Sequence, residues 1–201
     1  IDYAYPVTVL PKGQGRHGKI SVSPEDKLLV IGDSIMAMWD NIRKDLSFFH
    51  SITNLAVGGT TSVQWVEKIK TIDVSLFQYV LINLGGNDMR TLGLPKEQIK
   101  ENIANIFQHI HDRNPDAVIF LFTQTTSPGN YYTFHGATLD LIQEYRNLAQ
   151  KMPYVRLVDV STAFIDEEGF VDTSKFRPND SLHPSAEGYL SYAASLKRYI
   201  V

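Results

Sequence analysis

The apolar positions of the chain change period several times, and each change marks an element. Residues 1–26 show no period and carry Pro6, Pro11, Gly13, Gly15, Gly18 and Pro24, which predicts an irregular, partly extended lead-in packed on the domain that follows. From residue 27 the pattern is regular. The run KLLVI at 27–31 is continuous rather than alternating and stops at Gly32, as expected of a strand buried on both faces. Short runs at 52–57 (ITNLAV), 79–84 (YVLINL), 117–122 (AVIFLF) and 155–160 (VRLVDV) predict further strands. Residues 35–45, 61–70, 96–113, 138–152 and 185–199 read as helices. Over 96–113, Ile99, Ile103, Ile106, Phe107 and Ile110 fall on one face at helical spacing. Parallel neighbours need crossover connections, so the predicted class is α/β: a three-layer α/β/α sandwich with a central parallel sheet of about five strands, occupying residues 27–201. Residues 123–137 and 166–181 carry no period and read as loops.

Composition adds mainly exclusions. A chain of 201 residues, 43% apolar, can enclose a core without a disulfide or metal staple. It has no cysteine, which removes thiolate nucleophiles, thiolate-zinc sites and disulfide scaffolds together. Lys and Arg number 19 against 22 Asp and Glu, a net charge of -3, so the basic excess of a nucleic-acid binder is missing. No run approaches the roughly 20 apolar residues of a bilayer-crossing helix, so no membrane span is expected. Nothing in the chain reads as a signal peptide, which leans the expected compartment towards the cytoplasm; the start at Ile1 rather than Met leaves a leader, tag or preceding domain open. No pattern specifies an oligomeric state.

Ligands of an open parallel sheet bind beyond the carboxyl ends of its strands, so the loops that follow the strands are where chemistry belongs. After the first comes Gly32-Asp33-Ser34 and an apolar helix start. A serine on such a turn has its hydroxyl lifted from the sheet beside a positive helix end, as a nucleophile needs, or it simply caps the helix. After the second comes Asn54 to Ser62, where Gly58 and Gly59 allow close backbone approach and an N–H aimed into the cleft, or form a plain turn. The third ends in Gly85-Gly86-Asn87-Asp88, where Asn87 either presents its amide to the cleft or bonds its own turn. Asp180 and His183, in DSLHP before the last helix, are three apart and can share one side of a turn, the carboxylate fixing the imidazole tautomer. Pro184 restrains the His183 backbone.

In family order, these blocks resemble those of the SGNH hydrolases, also called GDSL esterases or lipases: GDS at 32–34, NLAVGGTTS at 54–62, GGND at 85–88 and DSLHP at 180–184. The GDSI-x-x-x-W start is similar to the platelet-activating-factor acetylhydrolase-like and carbohydrate O-acetylesterase branches. The resemblance implies the flavodoxin-like SGNH hydrolase fold and a serine esterase acting on a small-molecule ester without metal or cofactor. It implies Ser34 as nucleophile, His183 as base and Asp180 as its orienting partner. The oxyanion donors it implies are the Ser34 and Gly59 N–H groups and the Asn87 amide, with Gly58 as the alternative glycine. Met36 and Trp39 are candidates to line an acyl pocket, and Tyr131 and Tyr132 to meet a sugar face or leaving group at the rim. Loops too short for a deep lid favour acetyl or other short-chain esters, O-acetylated carbohydrate among them. A lysophospholipase or thioesterase of the same fold is the alternative, and a non-catalytic flavodoxin-like binding module a further one, against which every expected catalytic residue type is present. His109 and His111 lie on different helix faces and do not predict a metal pair, and Arg16 and His17 read as solvated.

Overall fold

Five strands are parallel: β1 (Lys27–Gly32), β2 (Ser51–Asn54), β3 (Tyr79–Asn83), β4 (Val118–Phe122) and β5 (Val155–Val158). Their order, β2-β1-β3-β4-β5, means that the chain winds outward once from β1 to β2, then returns beside β1 and winds the other way. The topological switch point therefore lies between β1 and β3. The computed structural model describes residues 5–7 and 18–201, so the readings of Pro11, Gly13, Gly15, Arg16 and His17 lie outside the described residues.

Seven α-helices are assigned within that span: α1 (Ser34–Ala37), α2 (Ile42–Asp45), α3 (Ser62–Lys68), α4 (Gly86–Arg90), α5 (Lys96–Arg113), α6 (Tyr131–Lys151) and α7 (Ala186–Lys197). Successive strand residues point to opposite faces of the sheet. Leu29, Ile31, Val80, Ile82, Ile119 and Leu121 pack with Trp65, Ile103, Phe107 and Tyr145 of α3, α5 and α6. Leu28, Val30, Leu81, Phe120 and Phe122 pack on the other face with Trp39, Tyr189, Tyr192 and Leu196. Both faces are covered, which is why the strands read as continuous apolar runs.

Several boundaries differ from the sequence reading. The helix expected over 35–45 is two short pieces, α1 and α2, because Trp39 turns into the core and donates its indole N–H to Asp45 at 2.8 Å. The second strand stops at Asn54, whose amide donates to the Met36 carbonyl and whose oxygen accepts the Ala56 N–H, turning the chain out of the sheet. The fifth stops before Asp159, which accepts the Ser161 N–H and pairs with Arg146. The sixth helix begins at Tyr131 rather than 138, so residues 131–137 are not loop. It runs through Gly136 despite that residue's poor propensity; the Tyr131 and His135 rings stack one turn apart, 5.0 Å between centroids. Among the described residues no helix is long and apolar enough to cross a membrane.

At the switch point the strands nearly touch: a Cβ on Gly32 would stand 2.5 Å from the Asn83 carbonyl oxygen. Gly136, by contrast, has open space around the position of its missing Cβ. Gly32→Ala should therefore cost about 1–3 kcal/mol, whereas Gly136→Ala should gain about 0.5–1 kcal/mol. Urea midpoints at constant m-value measure both, and equal midpoints for the two variants would refute the contrast.

Candidate active site

The register pairs Gly32 with Asn83 across β1 and β3, so the segments that leave these strands start side by side. The Gly32 carbonyl accepts the Val57 N–H at 3.0 Å and shares the Trp65 indole N–H with the Thr60 hydroxyl, at 3.2 and 3.0 Å. The turn after β2 is thereby folded over the end of β1. The segment after β3 grips the same turn: the Asn87 amide donates to the Thr60 carbonyl at 3.0 Å. Buried Asp88 accepts the Ser62 N–H at 3.0 Å and the Ser62 hydroxyl, and Asn102 of α5 donates to that hydroxyl at 3.0 Å. Gly85, at φ 113, opens α4 in the left-handed region, where a Cβ would collide with the Tyr145 hydroxyl.

The cap of α1 is Asp33, not Ser34: its carboxylate accepts the Ile35 N–H at 3.0 Å and its own N–H donates to the Asn83 carbonyl. Ser34 is then the first helical residue, and its hydroxyl is free to face across the cleft. It stands 2.9 Å from Nε2 of His183, whose Nδ1 is 2.9 Å from Oδ2 of Asp180. The other Asp180 oxygen accepts the N–H groups of Leu182 and His183 at 2.9 and 3.0 Å. Burial alone would raise the Asp180 carboxyl, but these backbone bonds and the His183 ring outweigh it and hold the group down at about 2. The anion therefore accepts a hydrogen bond from an N–H on Nδ1, which leaves Nε2 as acceptor towards Ser34.

This turn is held from both sides. Arg177 N–H donates to the His183 carbonyl at 2.8 Å, and Ser181 N–H to the Arg177 carbonyl at 2.9 Å. The Arg177 guanidinium then bridges the Pro184 carbonyl at 3.1 Å and the Met38 carbonyl just past α1 at 3.3 Å, tying the turn to the helix that carries Ser34. Ser181, at φ 53, is the single non-glycine in the left-handed region among the described residues. Its carbonyl accepts the Gly129 N–H at 2.9 Å, which seats the segment before α6 against the turn.

The structure brings Ser34, His183 and Asp180 together and keeps Asn87 beside the glycine turn. Gly58 packs against Ser34, a Cβ there lying 3.8 Å from the serine Cβ, while Gly59 is exposed at φ 77. Met36 and Trp39 must be corrected. They are 0% and 2% exposed, and Trp39 stacks on Tyr189 at 5.1 Å, so neither lines a cleft. A helix of one turn has too little period to tell which side faces the core. Tyr131 and Tyr132 stand at the start of α6, the first half-buried and the second 73% exposed. Arg177 and the Ser62–Asn102 pair gave no sequence signal: a charged residue in a non-periodic stretch and small polar residues on helices are too common to single out. Among the described residues no three His, Asp or Glu side chains are grouped to hold a metal ion.

The model of the GDSL-like lipase/acylhydrolase family matches residues 30–190. The chain belongs to that family and is an enzyme of its acylhydrolase class. No curated protein matches it by sequence. Among solved structures, it is similar to a protein from Streptococcus pneumonia that carries a provisional platelet activating factor description, at TM-score 0.77 and 22% identity, over 88% of this chain and 85% of that one. A GDSL-like lipase from Bacteroides thetaiotaomicron gives 0.73 at 18% identity, over 87% of each chain. A carbohydrate esterase family 3 protein from Talaromyces cellulolyticus gives 0.67 at 15% identity, over 86% of this chain and 95% of that one. At such identities the likeness shows the fold, here the SGNH hydrolase fold.

Asp33, 1% exposed beside Ser34, is the opposite of Asp180. Burial raises its carboxyl to about 6, against the pull of the Ile35 N–H and the Arg90 charge. A carboxyl that holds its proton more tightly folded than unfolded loses stability as pH rises, here from about 4 to about 6. Asp33→Asn keeps a capping acceptor but cannot ionise. Over that pH window the wild type should therefore lose roughly 1–3 kcal/mol relative to the variant. Urea unfolding at a series of pH values measures the gap, and a gap constant with pH would refute the assignment.

Proposed function

We propose that Ser34, His183 and Asp180 are the nucleophile, general base and orienting carboxylate of an esterase for acetyl and other short-chain esters, O-acetylated carbohydrate included. The observation that carries this reading is the relay of two 2.9 Å hydrogen bonds across the cleft, which joins residues 149 positions apart in the chain. His183 takes the Ser34 proton as the hydroxyl attacks the ester carbonyl, and Asp180 steadies the imidazolium that forms. The tetrahedral oxyanion is held by the Ser34 N–H, by the Gly59 N–H with Gly58 as the alternative, and by the Asn87 amide. One amide N–H of Asn87 is taken by Thr60, and the group has a second to offer. His183 returns the proton to the departing alcohol, and water repeats the sequence on the acyl-enzyme.

The acyl preference is supported by what does not open onto the cleft. Met36 and Trp39 are core residues, so the helix behind the nucleophile contributes no apolar channel for a long chain. A fold shared with a carbohydrate esterase is consistent with a sugar ester.

A panel of p-nitrophenyl esters from acetyl to palmitoyl tests the reading. The expected kcat/KM is greatest for acetyl or propionyl, and Ser34→Ala abolishes turnover. Asn87→Ala should lower kcat by about 10²- to 10³-fold, the size of one oxyanion donor. A Ser34→Ala protein as active as wild type would end the esterase reading, and a preference for palmitoyl would replace the short-chain one with a lipase or thioesterase.

A further inference from the structure

We infer that Tyr5, Tyr131 and Tyr132 form a saccharide-stacking subsite beside the catalytic turn, which holds the sugar next to the acylated one; this rests on the esterase reading above. The three rings come from two distant parts of the chain and meet at steep angles. The Tyr5 centroid is 5.2 Å from Tyr131 and 5.7 Å from Tyr132, at 59° and 60°, and Tyr131 meets Tyr132 at 5.2 Å and 89°. The short segment around Pro6 is strapped in place by Val7 N–H on the Gly169 carbonyl and Val171 N–H on the Tyr5 carbonyl, both at 2.9 Å, and the Tyr131 hydroxyl donates to the Pro6 carbonyl. Behind them the His135 ring stacks on Tyr131 at 18°, with Nδ1 2.8 Å from the Thr126 hydroxyl. The cluster is preorganised, so a ligand that meets it need not order it.

Tyr132 is the open member. It touches two other rings and is 73% exposed, so a ligand can reach it. Its position follows from Gly129, whose N–H binds the Ser181 carbonyl between Asp180 and His183. Tyr132 is three positions on from Gly129, a reach of at most about 11 Å between their Cα atoms. The contact of Gly129 with Ser181 sets the ring cluster beside the turn that carries Asp180 and His183, and the inferred subsite is assigned to the sugar next to the acylated one.

The chemistry favours a neutral sugar over a lipid. An aromatic face is negative and attracts the polarised C–H face of a pyranose, while the hydroxyl edges of the sugar stay in water. The segment that holds the strap, residues 169–171, follows an exposed acidic turn, Asp166, Glu167 and Glu168, which disfavours a phosphate headgroup.

The test compares O-acetylated mono-, di- and trisaccharides of one β-linked series, with p-nitrophenyl acetate as the sugar-free reference, using the whole chain. In the wild type kcat/KM should rise from mono- to disaccharide, mainly through KM. Tyr132→Ala should remove about threefold to tenfold of that rise, read as the ratio of disaccharide to monosaccharide kcat/KM. Tyr132→Phe should keep the rise, which a merely structural role of the hydroxyl would not predict, and Tyr5→Ala should lose part of it. A disaccharide gain that is absent in the wild type, or unchanged in Tyr132→Ala, overturns the subsite. If p-nitrophenyl acetate is still hydrolysed by the wild type and not by Ser34→Ala, only the subsite falls; if it is not hydrolysed at all, the esterase reading falls first.

Discussion

The approach of β1 to β3 at Gly32 governs the cleft. Because Gly32 has no Cβ, the Asn83 carbonyl can sit where a side chain would be, and the two strands end level at the switch point. That contact fixes the start of α1, since Asp33 donates to the same carbonyl, and so aims Ser34. The Gly32 carbonyl in turn gathers Val57 and Trp65, which brings the glycine turn to the serine. Asn87 and Asp88 then close the ring from the far side, through Thr60 and Ser62. A loop with so many bonds into rigid strands keeps its backbone N–H groups in place as charge develops on a bound oxygen, the condition for electrostatic stabilisation without reorganisation.

The carboxylates around Ser34 divide the work by environment. Asp180 sits at the surface among N–H donors and stays ionised, able to balance a proton on His183. Asp33 is sealed beneath the helix start, where burial disfavours its charge, and it acts as a cap and spacer. Asp88 is sealed as well but fully engaged by Ser62, so its part is to hold two loops together. The Arg177 guanidinium links the histidine turn to the end of α1 by donating to a backbone carbonyl on each, which ties the position of His183 to that of Ser34.

How much of this could be read from the chain varies with the length of each pattern. The eighteen residues of α5 begin and end where the apolar stripe says, between Pro95 and Asn114. The central strands β1, β3 and β4 were legible because burial on both faces makes them almost uniformly apolar, and the ends of the edge strands were blurred by Asn54 and Asp159, whose side chains bond locally. The start of α6 was hidden by Gly136 and a run of aromatics that reads as loop, though stacking holds it helical. Ser34 and Asn87 stood out because they follow strand ends beside glycines, and Asp180 and His183 because they stand three apart just before the last helix. Which way Met36 and Trp39 face depends on a tertiary turn that no period in one helical turn can reveal, and the Arg177 bridge depends on two carbonyls that carry no sequence mark.

The central claim is that His183 makes the Ser34 oxygen nucleophilic. Reaction with a fluorophosphonate ester, followed by mass spectrometry of the peptides, tests it directly. One adduct per chain on the peptide that carries Ser34, forming at least about a hundredfold more slowly in His183→Ala, is the predicted result. An adduct on another residue, or equal rates in the two proteins, would contradict it.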